Sequence, residues 1–134
     1  MKKVILFLSA LFVFFVAKVQ AQGCGIPEPL DKSEAIGIWK GTYLENGISR
    51  EVKIKILEDE ESLKTEIAIG SANFKTAKTV LCPSQDLHLI TTENGNRIEF
   101  RGIPKNGKLS GRVFYLNDNN NSVAHSYTLK KSTL

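Results

Sequence analysis

Reactive side chains are scarce in this chain. Its 134 residues include two cysteines (Cys24 and Cys82), two histidines (His88 and His125), one tryptophan and four prolines. So few thiols and imidazoles exclude a zinc-finger array and speak against a buried zinc site. The motifs that announce catalysis or nucleotide binding are missing: there is no Gly-x-Ser-x-Gly elbow, no His-Glu-x-x-His and no glycine-rich phosphate loop. The length fits one domain and is too short for a TIM barrel or a dinucleotide-binding enzyme with a second domain. After Ala35 no segment is both long and helical in period. What is present, 42% hydrophobic and 24% charged, is the balance of a folded globular protein.

The one extended apolar run is at the amino terminus. Met1-Lys2-Lys3 precedes Val4 to Ala17, broken only by Ser9, and Lys18-Val19-Gln20-Ala21 supplies small or aliphatic residues three and one before a cut after Ala21. This pattern predicts a secretory signal peptide over 1–21 and an exported product, secreted or periplasmic. The run is too short for a membrane span, which needs roughly 20 residues. Gly23-Cys24 resembles a lipoprotein cleavage site and offers an alternative in which lipid is attached to Cys24. Removing 1–21 takes away Lys2, Lys3 and Lys18, leaving 15 Lys plus Arg against 14 Asp plus Glu, a net +1. The remaining charges alternate in sign along the chain, so no nucleic-acid partner is expected.

From Ala35 onward one grammar repeats, with alternating apolar and polar residues followed by a cluster of Gly, Asn, Asp, Ser or Pro. It predicts strands near 36–45, 50–58, 62–69, 73–81, 86–92, 97–103, 109–116 and 123–131. Val52, Ile54 and Ile56 face one way and Lys53 and Lys55 the other. Leu63, Ile67 and Ile69 oppose Lys64 and Glu66, and Ile98, Phe100 and Gly102 oppose Glu99 and Arg101. Leu109, Gly111, Val113 and Tyr115 form a further inward set, as do Val123, His125, Tyr127 and Leu129. The register of the fourth strand, around Phe74 and Val80, is ambiguous. Asn46-Gly47, Asn94-Gly95 and Asn106-Gly107 are dipeptides that tolerate positive φ at both hairpin positions. Glu58 to Glu61 reads as a solvated hairpin tip, because the spaced ligands of a calcium loop are missing. Short connections force successive strands to pair antiparallel, and closure removes the exposed edges of an eight-strand meander. The expected fold is therefore all-β: a small eight-stranded antiparallel up-and-down barrel over 36–134, favoured over a sandwich.

Residues 22–35 form a tail in which Asp31 or Ser33 caps a single helical turn across one barrel end. Cys24 and Cys82 are expected to pair in an oxidising compartment, against free thiols or a lipidated Cys24. Strand parity allows the bond, since Cys82 closes the fourth strand at the end where the tail begins. Loops after strands one, three, five and seven share the opposite end, which is the predicted mouth.

Gly37-Ile38-Trp39, opening the first strand, resembles the start of lipocalin-type (calycin) barrels. That resemblance implies a Trp packed over the closed barrel end and covered by a basic residue of the last strand, here Lys130 or Lys131. Across 37–131, Gly37-x-Trp39-x-Gly41, Phe100-Arg101-Gly102, Leu109-Ser110-Gly111 and Leu129-Lys130-Lys131 are similar to the β-domain preceding the catalytic domain of some secreted bacterial α/β-hydrolases. By that likeness the chain is a free-standing accessory module. If Trp39 points inward, so does Tyr43, and Tyr43, Tyr115, His125 and Tyr127 share one lumen with it. Such a lumen is either a cavity with a few convergent polar groups or a core filled with side chains. The expected function is non-enzymatic binding of a small apolar ligand at Trp39, Tyr43, Tyr115, His125 and Tyr127, with no cofactor and no metal. The alternative is a protein-interaction or accessory module. An enzyme using His125 with a Tyr is the remaining reading.

Overall fold

A computed structural model describes residues 30–60, 62–81, 86–116 and 122–132. The predicted signal peptide, both cysteines and the 117–121 loop lie outside the described residues. A short helix α1 (Lys32–Ala35) precedes eight strands: β1 (Gly37–Glu45), β2 (Ile48–Asp59), β3 (Ser62–Ile69), β4 (Lys75–Leu81), β5 (Leu87–Glu93), β6 (Asn96–Lys105), β7 (Lys108–Leu116) and β8 (Ser122–Ser132). Each pairs antiparallel with its neighbours in sequence, and β1 pairs with β8, so the sheet closes into an up-and-down barrel.

The hairpins form where the Asn-Gly dipeptides put them. Asn46 and Gly47 have φ of 51° and 81°, Asn94 and Gly95 of 50° and 81°, and Asn106 and Gly107 of 52° and 71°. Positive φ at both positions matches the right-handed twist of the flanking strands. Each such turn fixes its register: Glu45 faces Ile48, Glu93 faces Asn96 and Lys105 faces Lys108.

Alternation then sorts the faces. Trp39, Val52, Ile54, Ile56, Ile98, Phe100, Leu109, Val113 and Leu129 are completely buried and belong to one continuous cluster. Thr65 also points inward and is buried, with its Oγ1 accepting a hydrogen bond from Thr79 Oγ1 at 2.8 Å. That contact settles the register of β4: Ala77 and Thr79 face the core. The strand starts two residues later than expected and leaves Phe74 outside it, 47% exposed. The reason is local. Gly70 N–H donates to Glu51 O (2.8 Å) and Ala72 N–H to Ile69 O (3.3 Å), which holds 70–72 in a turn. Only Thr65, Glu66 and Ile67 of β3 find partners on β4, making this the shortest pairing in the barrel.

Two outward residues are buried against the simple in-and-out pattern, the small Ala68 and the charged Glu99. Glu99, on the outer face of β6, is only 3% exposed. His88 Nδ1 lies 2.9 Å from its Oε1, Arg101 Nε donates to the same oxygen at 2.9 Å, and Arg97 Nη2 stands 3.8 Å from Oε2. The Arg101 guanidinium also covers the Phe114 ring at 4.7 Å. Burial opposes the carboxylate's charge, but Arg101's hydrogen bonds and the charges of Arg101, His88 and Arg97 outweigh it and hold Glu99 below the usual carboxylate range. A depressed carboxyl pKa in the folded state stabilises above the unfolded value and is lost as pH falls through the folded one. Acid titration of stability is therefore expected to show a decline beginning below about pH 4.5 that is shallower in Glu99→Gln. Parallel acid limbs for the two proteins would remove Glu99 from the account.

Candidate functional site

The two barrel ends are built differently. At the floor, Asp31 caps α1 by accepting from Ser33 N–H (2.9 Å), as Asn, Asp or Ser does at a helix start. The helix places Ala35 O where Trp39 Nε1 donates to it at 2.8 Å, so the fully buried indole is hydrogen-bonded as well as packed. Of the two lysines considered for covering it, Lys131 has the role. Its Nζ sits 5.2 Å from the Trp39 ring centroid and reaches Ser33 O (3.4 Å) and Glu34 O (3.3 Å), carbonyls of the short helix. A rotatable ammonium with three donors suits this double task. Lys130 points away and is exposed. The glycine of the Gly-x-Trp opening has a steric reason too. A Cβ on Gly37, whose φ is 145°, would stand 2.6 Å from Lys131 Cε, so its absence lets the lysine stem cross the strand to the indole.

Above the floor, side chains fill the barrel. Phe100, Ile54, Leu89, Val113, Leu129 and Trp39 interlock in one cluster, and all are at most 1% exposed. Of the two interiors that the alternation allows, the lower barrel has the filled one. Tyr127 is the last inward residue of this layer. Its ring meets Phe100 edge-on at 5.5 Å between centroids. Its hydroxyl is buried with no hydrogen-bond partner among the described residues, and burial pushes its pKa upward.

The mouth is polar. Tyr43 and Tyr115 hydroxyls are hydrogen-bonded to each other, and the His125 ring lies 6.4 Å from Tyr43 and 6.0 Å from Tyr115. Burial raises the pKa of both phenols, and for Tyr115 the hydrogen bond it shares with Tyr43 adds to the effect, since ionisation would remove the proton it donates. Both therefore stay protonated at neutral pH, and one of the two O–H groups is left to donate elsewhere. Across the barrel, Arg50 Nη2 donates to both Glu93 oxygens, at 2.9 and 3.0 Å, while its Nε stands 3.5 Å from Glu45. This bridge joins β2 to β5 over the top of the short β3–β4 pairing. Ile48 and Val123, on the inward register of β2 and β8, stand above the polar layer and are 67% and 56% exposed.

Pairing of β1 with β8 stops at Tyr43 and Tyr127. Above that point the seam parts, and a notch of about 540 Å³ opens between Thr42–Leu44 and Ala124–Thr128, with Tyr43 and His125 on its wall. Four of the five residues expected from sequence are thus stacked in one end of the barrel: Tyr43, Tyr115 and His125 at the mouth, with Tyr127 one layer below. Trp39 is at the opposite end. The sequence places Glu45 and Glu93 beside loops of the predicted mouth, but it points neither to Arg50 nor to the bridge that joins the three. Their charge alternation reads as solvated surface until the closed topology brings β2 and β5 together.

Among the described residues no group of three or more His, Cys, Asp or Glu could hold a metal ion, and no helix is long and apolar enough to cross a membrane. Comparison with protein-family models, with curated proteins and with solved structures finds no match for this chain.

Proposed function

We propose that the chain is an exported, lipocalin-like binding module that takes a small, largely apolar molecule carrying a hydrogen-bonding group at the barrel mouth. The observation that carries this is the parted β1–β8 seam, which leaves Tyr43 and His125 on the wall of an open notch beside Tyr115. A filled lower barrel gives the site a rigid base. Tyr43, Tyr115 and His125 supply donors and acceptors for a carbonyl, hydroxyl or acidic group, and Ile48 and Val123 offer apolar contact above them. The lipocalin-type reading draws support from the Trp39 floor under Lys131. Export rests on the amino-terminal pattern of 1–21.

The test uses two measurements. Native mass spectrometry of protein purified from its own host is expected to show a bound small molecule. Anilinonaphthalene sulfonate, an apolar ring system with an anionic group, is expected to fluoresce on binding. Tyr115→Phe and His125→Ala each weaken that binding by about five- to tenfold, the equivalent of one lost hydrogen bond. Absence of probe binding, or wild-type affinity in both variants, overturns the proposal. A second reading, docking of a protein partner, has one specific observation in its favour: Leu44, Ile48, Phe74 and Val123 are large apolar residues left exposed toward the mouth end.

A further inference from the structure

The strand registers bring lysines together that the sequence keeps apart. Lys53 of β2 faces Lys40 of β1, Lys40 also faces Lys130 of β8, Lys130 faces Lys108 of β7, and Lys108 faces Lys105 of β6. All five lie on the outward register, and Lys40, Lys105, Lys108 and Lys130 are exposed. The result is an unbroken row of like charges over five adjacent strands, about 19 Å long at about 4.8 Å per strand. Glu51 Oε1 lies 3.3 Å from Lys53 Nζ at one end of the row. Among the described residues none of the other four has an ion-pair partner. Like charges placed directly opposite each other in a sheet are destabilising. Lys130 bears that penalty twice, with a lysine on either side. A near-neutral mature chain that concentrates its lysines in this way carries a local field its net charge does not reveal.

We infer that this row is a binding stripe for a flexible, acidic polysaccharide. Charge complementarity calls for a polyanion, and the geometry selects among them. In an eight-stranded barrel the strands tilt by about 35–45°, so a row crossing four of the eight intervals between strands climbs the wall obliquely as it turns through part of the circumference. A flat bilayer meets only one side of such a cylinder, whereas a flexible chain can follow the row. The next outward row runs Glu51, Thr42, Thr128, Ser110 and Ile103, with three hydroxyls at its centre: Thr42 faces Thr128, Thr128 faces Ser110, and the last two hydroxyls are 3.2 Å apart. Neither row contains an aromatic residue, so the stacking platforms that single-stranded nucleic acids use are missing from it. Lysine point charges beside a line of hydroxyls match a polymer of sugars bearing sulfate or carboxylate. The lysine row occupies the outer wall and shares no residue with the mouth notch, while the neighbouring Thr42 and Thr128 border that notch.

The test is retention of the signal-free protein on immobilised heparin, with binding then compared for oligothymidylate and for phosphatidylglycerol vesicles. Wild type is expected to bind heparin and to be released by salt, which screens exposed charges. The triple variant Lys40→Glu, Lys108→Glu, Lys130→Glu loses about tenfold or more in affinity. A control carrying Lys64→Glu, Lys75→Glu and Lys78→Glu has the same net charge and keeps its binding. Should the triple variant fail to fold, Lys130→Glu alone suffices. It replaces two repulsive pairs with two attractive ones, weakens heparin binding and raises the denaturation midpoint. Failure of wild type to bind, equal losses in ladder and control variants, or no loss in either overturns the inference. Oligothymidylate or vesicles binding as tightly as heparin through the same lysines overturns the assignment to polysaccharide. Anilinonaphthalene sulfonate binding at the mouth is unaffected by the ladder variants, so this inference and the mouth site fail separately.

Discussion

Replacing Trp39 with alanine is expected to lower the free energy of unfolding by about 3–5 kcal/mol, the range for deleting a large buried aromatic. At an m-value of about 2 kcal/mol/M this moves the urea midpoint down by about 2 M. A domain of this size has only about 5–15 kcal/mol to lose, so the variant stands near the edge of folding at room temperature. The indole is completely buried, hydrogen-bonded to Ala35 O and covered by Lys131, and its removal empties the floor and unpins α1 together. Trp39→Phe separates these contributions. It keeps most of the apolar volume and loses the Nε1 donor, at a cost of about 1 kcal/mol from that bond. Far-UV circular dichroism during urea titration reads both variants. In the wild type, Trp39 is the sole tryptophan, so its emission reports the floor alone, and a blue-shifted folded spectrum resistant to acrylamide is expected. A Trp39→Ala protein within about 1 kcal/mol of wild type would show that the floor is not a packed seal.

Local chemistry reveals most of this barrel in advance. All eight strands are predicted by their alternation, because one face of each is buried and a period of two cannot place its apolar residues otherwise. The Asn-Gly dipeptides fix three hairpins outright. The fourth strand is the weak point, and its composition explains why: Thr76, Ala77, Lys78 and Thr79 give no strong contrast between faces, and the turn at 70–72 is set by a bond to Glu51 on another strand. Long-range charge placement is harder still. The Lys40–Lys53 and Lys105–Lys108 pairings follow from two-residue turns. Joining them through Lys130 requires the β7–β8 and β8–β1 registers, and no tight turn dictates either. The Arg50–Glu93 bridge likewise exists only once the cylinder is closed. Sign alternation along a strand says nothing about what stands beside it.

Gly111 is where the barrel tolerates least. A Cβ built there would lie 1.8 Å from Arg101 O and 2.6 Å from Gly102 Cα, both backbone atoms of the neighbouring strand. Gly111 faces Gly102 on one side and Tyr127 on the other, so β6 and β7 approach where neither has a side chain. Glycine to alanine in a strand ordinarily gains about 0.4–1 kcal/mol by restricting the unfolded chain. Here the clash reverses the sign, and Gly111→Ala is expected to cost at least about 3 kcal/mol, at the upper end of overpacking penalties. Gly102 makes an informative contrast. Its added Cβ would meet first the Tyr127 hydroxyl, at 2.4 Å, with Ser110 O at 3.0 Å. The principal obstacle is thus a hydroxyl with no hydrogen bond to lose among the described residues. Gly102→Ala should cost less than Gly111→Ala, and adding Tyr127→Phe should recover part of its loss. The same second change leaves Gly111→Ala unrescued, because a backbone carbonyl cannot be trimmed. A double-mutant cycle on urea midpoints measures the difference as a coupling in the first pair that is missing from the second. Equal rescue of both glycine variants would place the obstruction at Tyr127 and acquit the β6 backbone.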